Sequence, residues 1–298
     1  MLVDRKKDGS FASQKDRKNA LGAIGKELKS EFKIQKIENL KQKHIQHLVL
    51  KWQDDNLSNA TIKNRMAHLR WAADAMGKDN LIPAKNSDLG IEDRHIDYNN
   101  NKSWEPSQAL KDSLPERLSL QVDLMREFGM RFKEAALFRP LENSSHDKIQ
   151  VIYGTKGGRD REFLITNKRQ EEVLERAREY VRSHPDSVNG NLLNPLESYK
   201  KFEDSARNTY RDAGIVKHDK GGVGSCHGLR HKYAQDRYEE MTGWKCPASM
   251  SPEERLSFRD SMTPEMRELE REKMLELSKE LGHSRIPIVY NYIGSWSN

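Results

Sequence analysis

The sequence predicts a mainly α-helical chain with one small antiparallel sheet, an α+β fold in two domains. Three observations predict it. Apolar residues recur at helical spacing over most of the length. Period two appears once, on both arms of KIQVIYGTKGGRDREFLIT (148–166), around Gly157-Gly158. Periodicity then lapses over 83–106, where Pro, Gly, Asp and an Asn run read as an extended linker.

The first domain, residues 1–82, is expected to be a small bundle with basic outer faces. Residues 16–31 place Leu21, Ile24 and Leu28 on one helical face, and 40–56 do the same with Ile45, Leu48, Val49 and Trp52. A third helix starts at the N-cap candidate Ser58 and lines up Ile62, Met66, Leu69 and Ala73. Its other face offers Lys63, Asn64, Arg65, His68 and Arg70. The second domain, 107–298, opens with a helix carrying Leu120, Leu124 and Phe128, stopped at Gly129, and a further helix from about Phe132. After the hairpin, helical patterns return at 169–182, 198–213, 228–240 and 264–281. No fixed-period repeat runs through the chain.

At 298 residues the chain has room for two modest cores. Lys and Arg number 52 against 46 Asp and Glu, so a polyanionic partner is favoured only if the +6 excess is clustered. Cys226 and Cys246 are the two cysteines and form no CxxC pair, which excludes a disulfide framework and points to a reducing compartment. No apolar run reaches a membrane-spanning length, and MLVDRKKDGSFASQKDRK lacks a signal-peptide core. The expectation is a cytoplasmic protein with no membrane partner.

Several stretches bear chemistry. In GMRFKEAALFRP, Arg131 has Glu134 three residues on, close enough to orient its guanidinium, although an ordinary surface ion pair fits as well. Lys156 sits at the tip of the expected hairpin, where lysines commonly serve only solubility. In SCHGLRHKYAQ, His227 and Arg230 share a helical face, and Gly228 suggests a helix start brought close to a ligand. Zinc is a rival use of Cys226, His231 and Cys246, but their spacing matches no standard site. In LGHSRIPIVYNYIG, His283 follows a helix end and two phenols, Tyr290 and Tyr292, come after it; an aromatic in such a run is by default core.

Taken in order, GMRFKEAALFRP, TKGG, HGLRH, LGHS and VYNYIG resemble the motif series of the tyrosine recombinases, the phage integrase family, and residues 40–77 resemble their core-binding domain. The resemblance implies a site-specific recombinase in which Tyr292, selected over Tyr290 by the family spacing, attacks a DNA phosphate and leaves a 3′-phosphotyrosyl link. It also implies Arg131 and Arg230 as the clamp on the phosphate oxygens, Lys156 as donor to the leaving 5′-oxygen, His227 in proton transfer, His283 on the phosphate, and Glu134 in support of Arg131. Neither metal nor other cofactor nor ATP is expected. Double-stranded DNA is the implied partner, met in the first domain by Lys63, Arg65 and Arg70. A homotetramer on paired sites, a monomer without DNA, and a directionality factor or DNA-bending protein as a further partner belong to the same implication, as does a bacterial, nucleoid-associated setting. No arm-type DNA-binding domain is expected ahead of residue 10.

Two features depart from the family pattern. The interval from Arg230 to His283 is long, and the excess at 241–272 reads as a charged, partly helical insertion with helix starts at Ser251-Pro252 and Thr263-Pro264. The stretch after Tyr292 is short for a segment that docks on a neighbour, which leaves tail exchange open, with Trp296 as candidate anchor. Two alternatives stand beside the recombinase: a type IB topoisomerase-like enzyme and a catalytically silent DNA-binding protein of the same fold.

Overall fold

A computed structural model of the protein describes residues 8–34, 36–93, 96–185, 190–194 and 196–297. The chain divides into two compact units between Ile96 and Asp97.

The first unit is built on α1 (Phe11–Phe32), α2 (Gln42–Asp54) and α3 (Asn59–Ala75). Ser10 and Ser58 cap α1 and α3 by accepting the backbone N–H groups of Ser13 and Thr61. α1 begins ahead of the expected residue 16 because its first turns, FASQKD, are polar and carry no period for the eye to find. Leu21, Ile24, Leu28, Ile45, Leu48, Trp52, Ile62, Met66 and Leu69 make the core. Trp52 is fully buried and satisfies its indole N–H on Glu27 Oε2 at 2.7 Å. Ile82 and Ile91 join the same core. The expected linker 83–106 is therefore anchored on each side, by Ile91 in the first unit and by Trp104 in the core of the second. Single buried anchors between short 3₁₀ turns leave no periodic signal in a sequence.

The second unit runs through α4 (Gln108–Asp112), α5 (Glu116–Glu127), α6 (Phe132–Leu137), β1 (Lys148–Val151), β2 (Arg161–Leu164), α7 (Lys168–Ser183) and α8 (Tyr199–Asp212). It continues with α9 (Cys226–Thr242), α10 (Pro252–Ser261), α11 (Pro264–Glu280) and the single turn α12 (Tyr290–Ile293). The strands are antiparallel with Ile149 opposite Phe163 and Val151 opposite Arg161. Their connection is wider than a two-residue turn, spanning 152–160, with Gly157 and Gly158 both at positive φ.

Two cores lie either side of α9. Leu229 closes the one formed by α5 to α8, and Tyr233, Ala234 and Tyr238 face the other, with α11 and α12. Gly129 (φ 56°) allows this packing, since a Cβ there would stand 2.3 Å from the Tyr233 ring. The close approach at Gly228 is to the Lys102 carbonyl, 2.5 Å from where its Cβ would be, and to Trp104, so the expectation of a glycine opened toward a ligand is corrected. The N-terminal turn of α9 is thus wedged in place with His227, Arg230 and His231 on it.

Candidate functional site

Glu134 organises the site. It is fully buried on α6, and its carboxylate accepts from Arg131 at that helix's N-cap: the backbone N–H reaches Oε2 and Nη1 reaches Oε1, each at 2.6 Å. Arg161 arrives from β2 and closes a two-pronged pair on the same carboxylate, Nη1 to Oε1 at 3.0 Å and Nη2 to Oε2 at 2.8 Å. Arg230 Nη1 stands 4.0 Å from Oε2. Burial alone would raise the Glu134 pKa, but the hydrogen bonds and charge of Arg161, with the charge of Arg230 and the Arg131 N–H, bring it down to about 2.

Arg230 is fully buried and held by two backbone carbonyls, Gly129 from Nη1 and Leu281 from Nη2. The Leu281 carbonyl also accepts from Arg131 Nη2 at 3.3 Å, so one oxygen joins the two guanidiniums. Burial lowers the Arg230 pKa to about 10, which leaves it charged at neutral pH. Three guanidiniums therefore face one carboxylate, an excess of two positive charges (3 − 1) in a poorly solvated place. Such a site is short of an anion.

Tyr292 completes the cluster. Its Oη accepts from Arg230 Nε at 3.3 Å and lies 3.4 Å from His283 Nε2, which is itself 3.4 Å from Arg131 Nη2. Tyr290 points elsewhere, edge-on to Tyr98 with ring centroids 6.1 Å apart. The two phenols, which local chemistry could not separate, differ wholly in surroundings. A cleft of about 700 Å³ opens beside Tyr292, lined among others by Lys102, Lys217, His227 and His231.

The imidazoles are held neutral. Burial, with Arg230 and Arg131 nearby, lowers His227 to about 4. Burial, with His227 and Lys102, lowers His231 to about 3, and burial, with Arg230 and Arg131, lowers His283 to about 4. His231 is 4% exposed and lies beside the site, its ring centroid 4.9 Å from that of Tyr292. Below pH 6.5 the unfolded chain takes up protons that the folded one refuses, so stability present above pH 6.5 is lost as the pH falls toward 4. We expect the unfolding free energy from urea titrations to fall between pH 7.5 and pH 5 by an amount on the order of a few kcal/mol; an unchanged free energy over that range would contradict the lowered histidine pKa values.

Lys156 is exposed on the 152–160 connection, and no hydrogen bond or ion pair joins it to the cluster among the described residues. Its loop is tied to the site nevertheless, because Arg159 Nη1 donates to Ser284 Oγ, next to His283, at 3.4 Å. In the first unit the three basic candidates are engaged at home. Lys63 pairs with Asp93; Arg65 pairs with Glu27 at 3.2 Å and lies over the Trp52 ring; Arg70 donates to Pro83 O and Asn86 Oδ1, each at 2.9 Å. Arg70 thus braces its own unit. Arg161 is the residue sequence reasoning missed. The available signal was its inward position in the period-two alternation of β2, shared with Phe163. Among the described residues no three His, Cys, Asp or Glu side chains converge as a metal site. Cys226 packs against the first core of its unit and Cys246 lies within the second.

Comparisons with known proteins bear on the family and the fold. A family model described as "Integrase" matches residues 107–236, and one described as "Phage integrase, N-terminal" matches residues 1–82. The Tn1549 transposon integrase, solved with transposon right-end DNA, aligns over 97% of this chain and 91% of its own at 12% identity and a TM-score of 0.59. A lambda integrase tetramer bound to a Holliday junction aligns over 100% and 77% at 13% identity and 0.61. The XerH recombinase on a palindromic substrate aligns over 95% and 76% at 15% identity and 0.54. At these identities the likeness is one of fold. No curated relative matches the chain.

Proposed function

Because the chain belongs to the tyrosine recombinases of the phage integrase family, we propose that it is a site-specific recombinase of a mobile element, cleaving and rejoining DNA through Tyr292. One observation carries this reading: a phenol oxygen 3.3 Å from Arg230 and 3.4 Å from His283, inside a cluster with two positive charges to spare. A phosphodiester placed there would supply the anion.

In the proposed step Tyr292 Oη bonds to phosphorus as the bond to the 5′-oxygen breaks, giving a 3′-phosphotyrosyl link and a free 5′-hydroxyl. Arg131 and Arg230 hold the non-bridging oxygens, on which charge grows in the transition state. His227 assists removal of the phenolic proton, and His283, already facing Oη, hydrogen-bonds the phosphate. Lys156 swings in on its loop to protonate the leaving oxygen. The phosphotyrosyl bond conserves the energy of the phosphodiester, so rejoining is close to isoenergetic without ATP, and the guanidiniums supply the cations that a metal would. The reading includes double-stranded recombination sites as substrate, a tetramer on paired sites, a monomer without DNA and a bacterial cytoplasmic setting. The structural relatives solved on DNA support the substrate class.

Covalent capture on a nicked duplex cut from the element's own flanks tests the reading: a denaturation-resistant adduct is expected, and none forms if the protein is a silent binder. A relaxation assay beside a two-site recombination assay separates it from a topoisomerase. Affinity should also fall by roughly 10³ to 10⁵ between 50 and 200 mM salt if six to ten phosphates are contacted. A weak salt slope would exclude wrapping of the duplex by both units.

A further inference from the structure

Tyr292 sits on α12, a single turn too short to hold its own conformation. Something else must keep the phenol in place. Immediately after the turn the chain leaves the helix at Gly294 (φ 84°), where a Cβ would come within 2.5 Å of Ala248 N and 2.6 Å of Asn99 Oδ1. Ser295 N–H then donates to Asn99 Oδ1 at 2.9 Å. Trp296 is buried: its ring stacks on Phe258 with centroids 5.2 Å apart at 25°, and its indole N–H donates to Glu270 Oε1 at 2.6 Å. The same carboxylate oxygen accepts from Tyr238 Oη at 2.6 Å, and Tyr238 Oη accepts from Trp244 Nε1 at 3.0 Å. Trp244 in turn lies against Phe258.

Ala248, Phe258, Glu270 and Trp244 all come from 241–272, the segment expected from sequence to be a charged, partly helical insertion. Its outer faces are charged, but its inner face closes around the residues that follow the nucleophile. We propose that 241–272 is an intramolecular clasp, and that Trp296, Phe258 and Glu270 are positioning residues which fix Tyr292 by holding the chain four residues beyond it. The proposal rests on Tyr292 being the nucleophile. Its logic is geometric: the phenol must meet Arg230 and the phosphate together, and a displacement of an ångström at the nucleophile is enough to cost a large factor in rate.

The test combines two readouts on Trp296→Ala, Trp296→Phe, Phe258→Ala and Glu270→Gln. Hydrogen exchange of 289–295 is followed without DNA, and the first-order rate of covalent capture is followed at saturating nicked duplex, with DNA affinity measured alongside. For Trp296→Ala we expect exchange of the Tyr292, Ile293 and Gly294 amides to quicken at least tenfold, capture to slow at least tenfold, and DNA affinity to stay within twofold. Glu270→Gln keeps the acceptor and should stay near wild type; Trp296→Phe keeps the stack and should fall between. If Trp296→Ala does not fold, Phe258→Ala and Trp296→Phe decide the matter by the same pair of readouts. The clasp is refuted if exchange is unchanged, if exchange quickens while capture keeps its rate, or if affinity falls as far as capture. Absence of any adduct from the wild-type protein would overturn the recombinase reading instead, and the exchange data would still judge whether the tail is held.

Discussion

Tyr292→Phe is expected to bind DNA as the wild type does and to form no covalent adduct. Phenylalanine keeps the ring that packs against His231 and His227, at 4.9 and 5.7 Å between centroids, so the buried shape is conserved. What disappears is Oη, with its contacts to Arg230 and His283. The stability change should stay within about 1–2 kcal/mol, because the two hydrogen bonds lost are long, at 3.3 and 3.4 Å, and Arg230 keeps two carbonyl partners. The rate change should be at least about 10⁴-fold, the scale seen when a covalent nucleophile is removed. Tyr290→Phe is the control and should capture DNA normally, since its ring lies against Tyr98. A protein–DNA adduct that survives denaturation in Tyr292→Phe would refute the assignment.

Glu134→Gln is expected to cost about 3–5 kcal/mol of stability, the scale for removing one partner from a buried ionic group. The amide leaves Arg131, Arg161 and Arg230 facing one another with no anion among them. Acid should reveal the same interaction. The Glu134 carboxyl titrates at about 2 when folded against an ordinary 4.5, so its contribution is complete above pH 4.5 and is lost as the pH falls through 2. At 1.36 kcal/mol per pKa unit that contribution is roughly 3 kcal/mol. Urea unfolding between pH 5 and 2.5 should therefore show a steeper loss for wild type than for Glu134→Gln. The histidine effect spends itself mostly between pH 6.5 and 4, so the two can be read apart. Equal slopes for the two proteins in the acid window would mean that Glu134 does not hold the cluster as its geometry indicates.

Where a structural feature is decided by neighbours in sequence, it was legible. Ser58, Ser251 and Thr263 cap helices because each cap needs only a hydroxyl and the amides two or three residues on. The helical patterns at 169–182 and 264–281 become Lys168–Ser183 and Pro264–Glu280, since an amphipathic period writes itself into composition. The hairpin was visible for the same reason, although the width of its connection was not.

Other features depended on partners far along the chain. Arg161 meets Glu134 across 27 positions, and nothing in RDRE, not even the alternation, whose parity Arg159 shares, sets that arginine apart from its exposed neighbour, which lies outside the paired strand. Lys63, Arg65 and Arg70 look alike as basic residues on one helix; Asp93, Glu27 and Asn86, none of them near in sequence, decide what each is engaged with. The segment 241–272 reads as charged surface because its solvent face dominates its composition, while Phe258 and Glu270 meet Trp296 only in the fold.

By itself, then, the sequence determined the mainly helical α+β class, the placement of its helices and the order of the residues that carry the resemblance to tyrosine recombinases. These are short-range properties, set by periodicity, capping and spacing. Only the tertiary structure decided which phenol lies against Arg230 and His283, that one buried carboxylate serves three arginines, and that Phe258 and Glu270 meet Trp296. Each of those outcomes requires groups tens to hundreds of residues apart to be brought into hydrogen-bonding contact, and that meeting is made by packing around α9 rather than by any local preference.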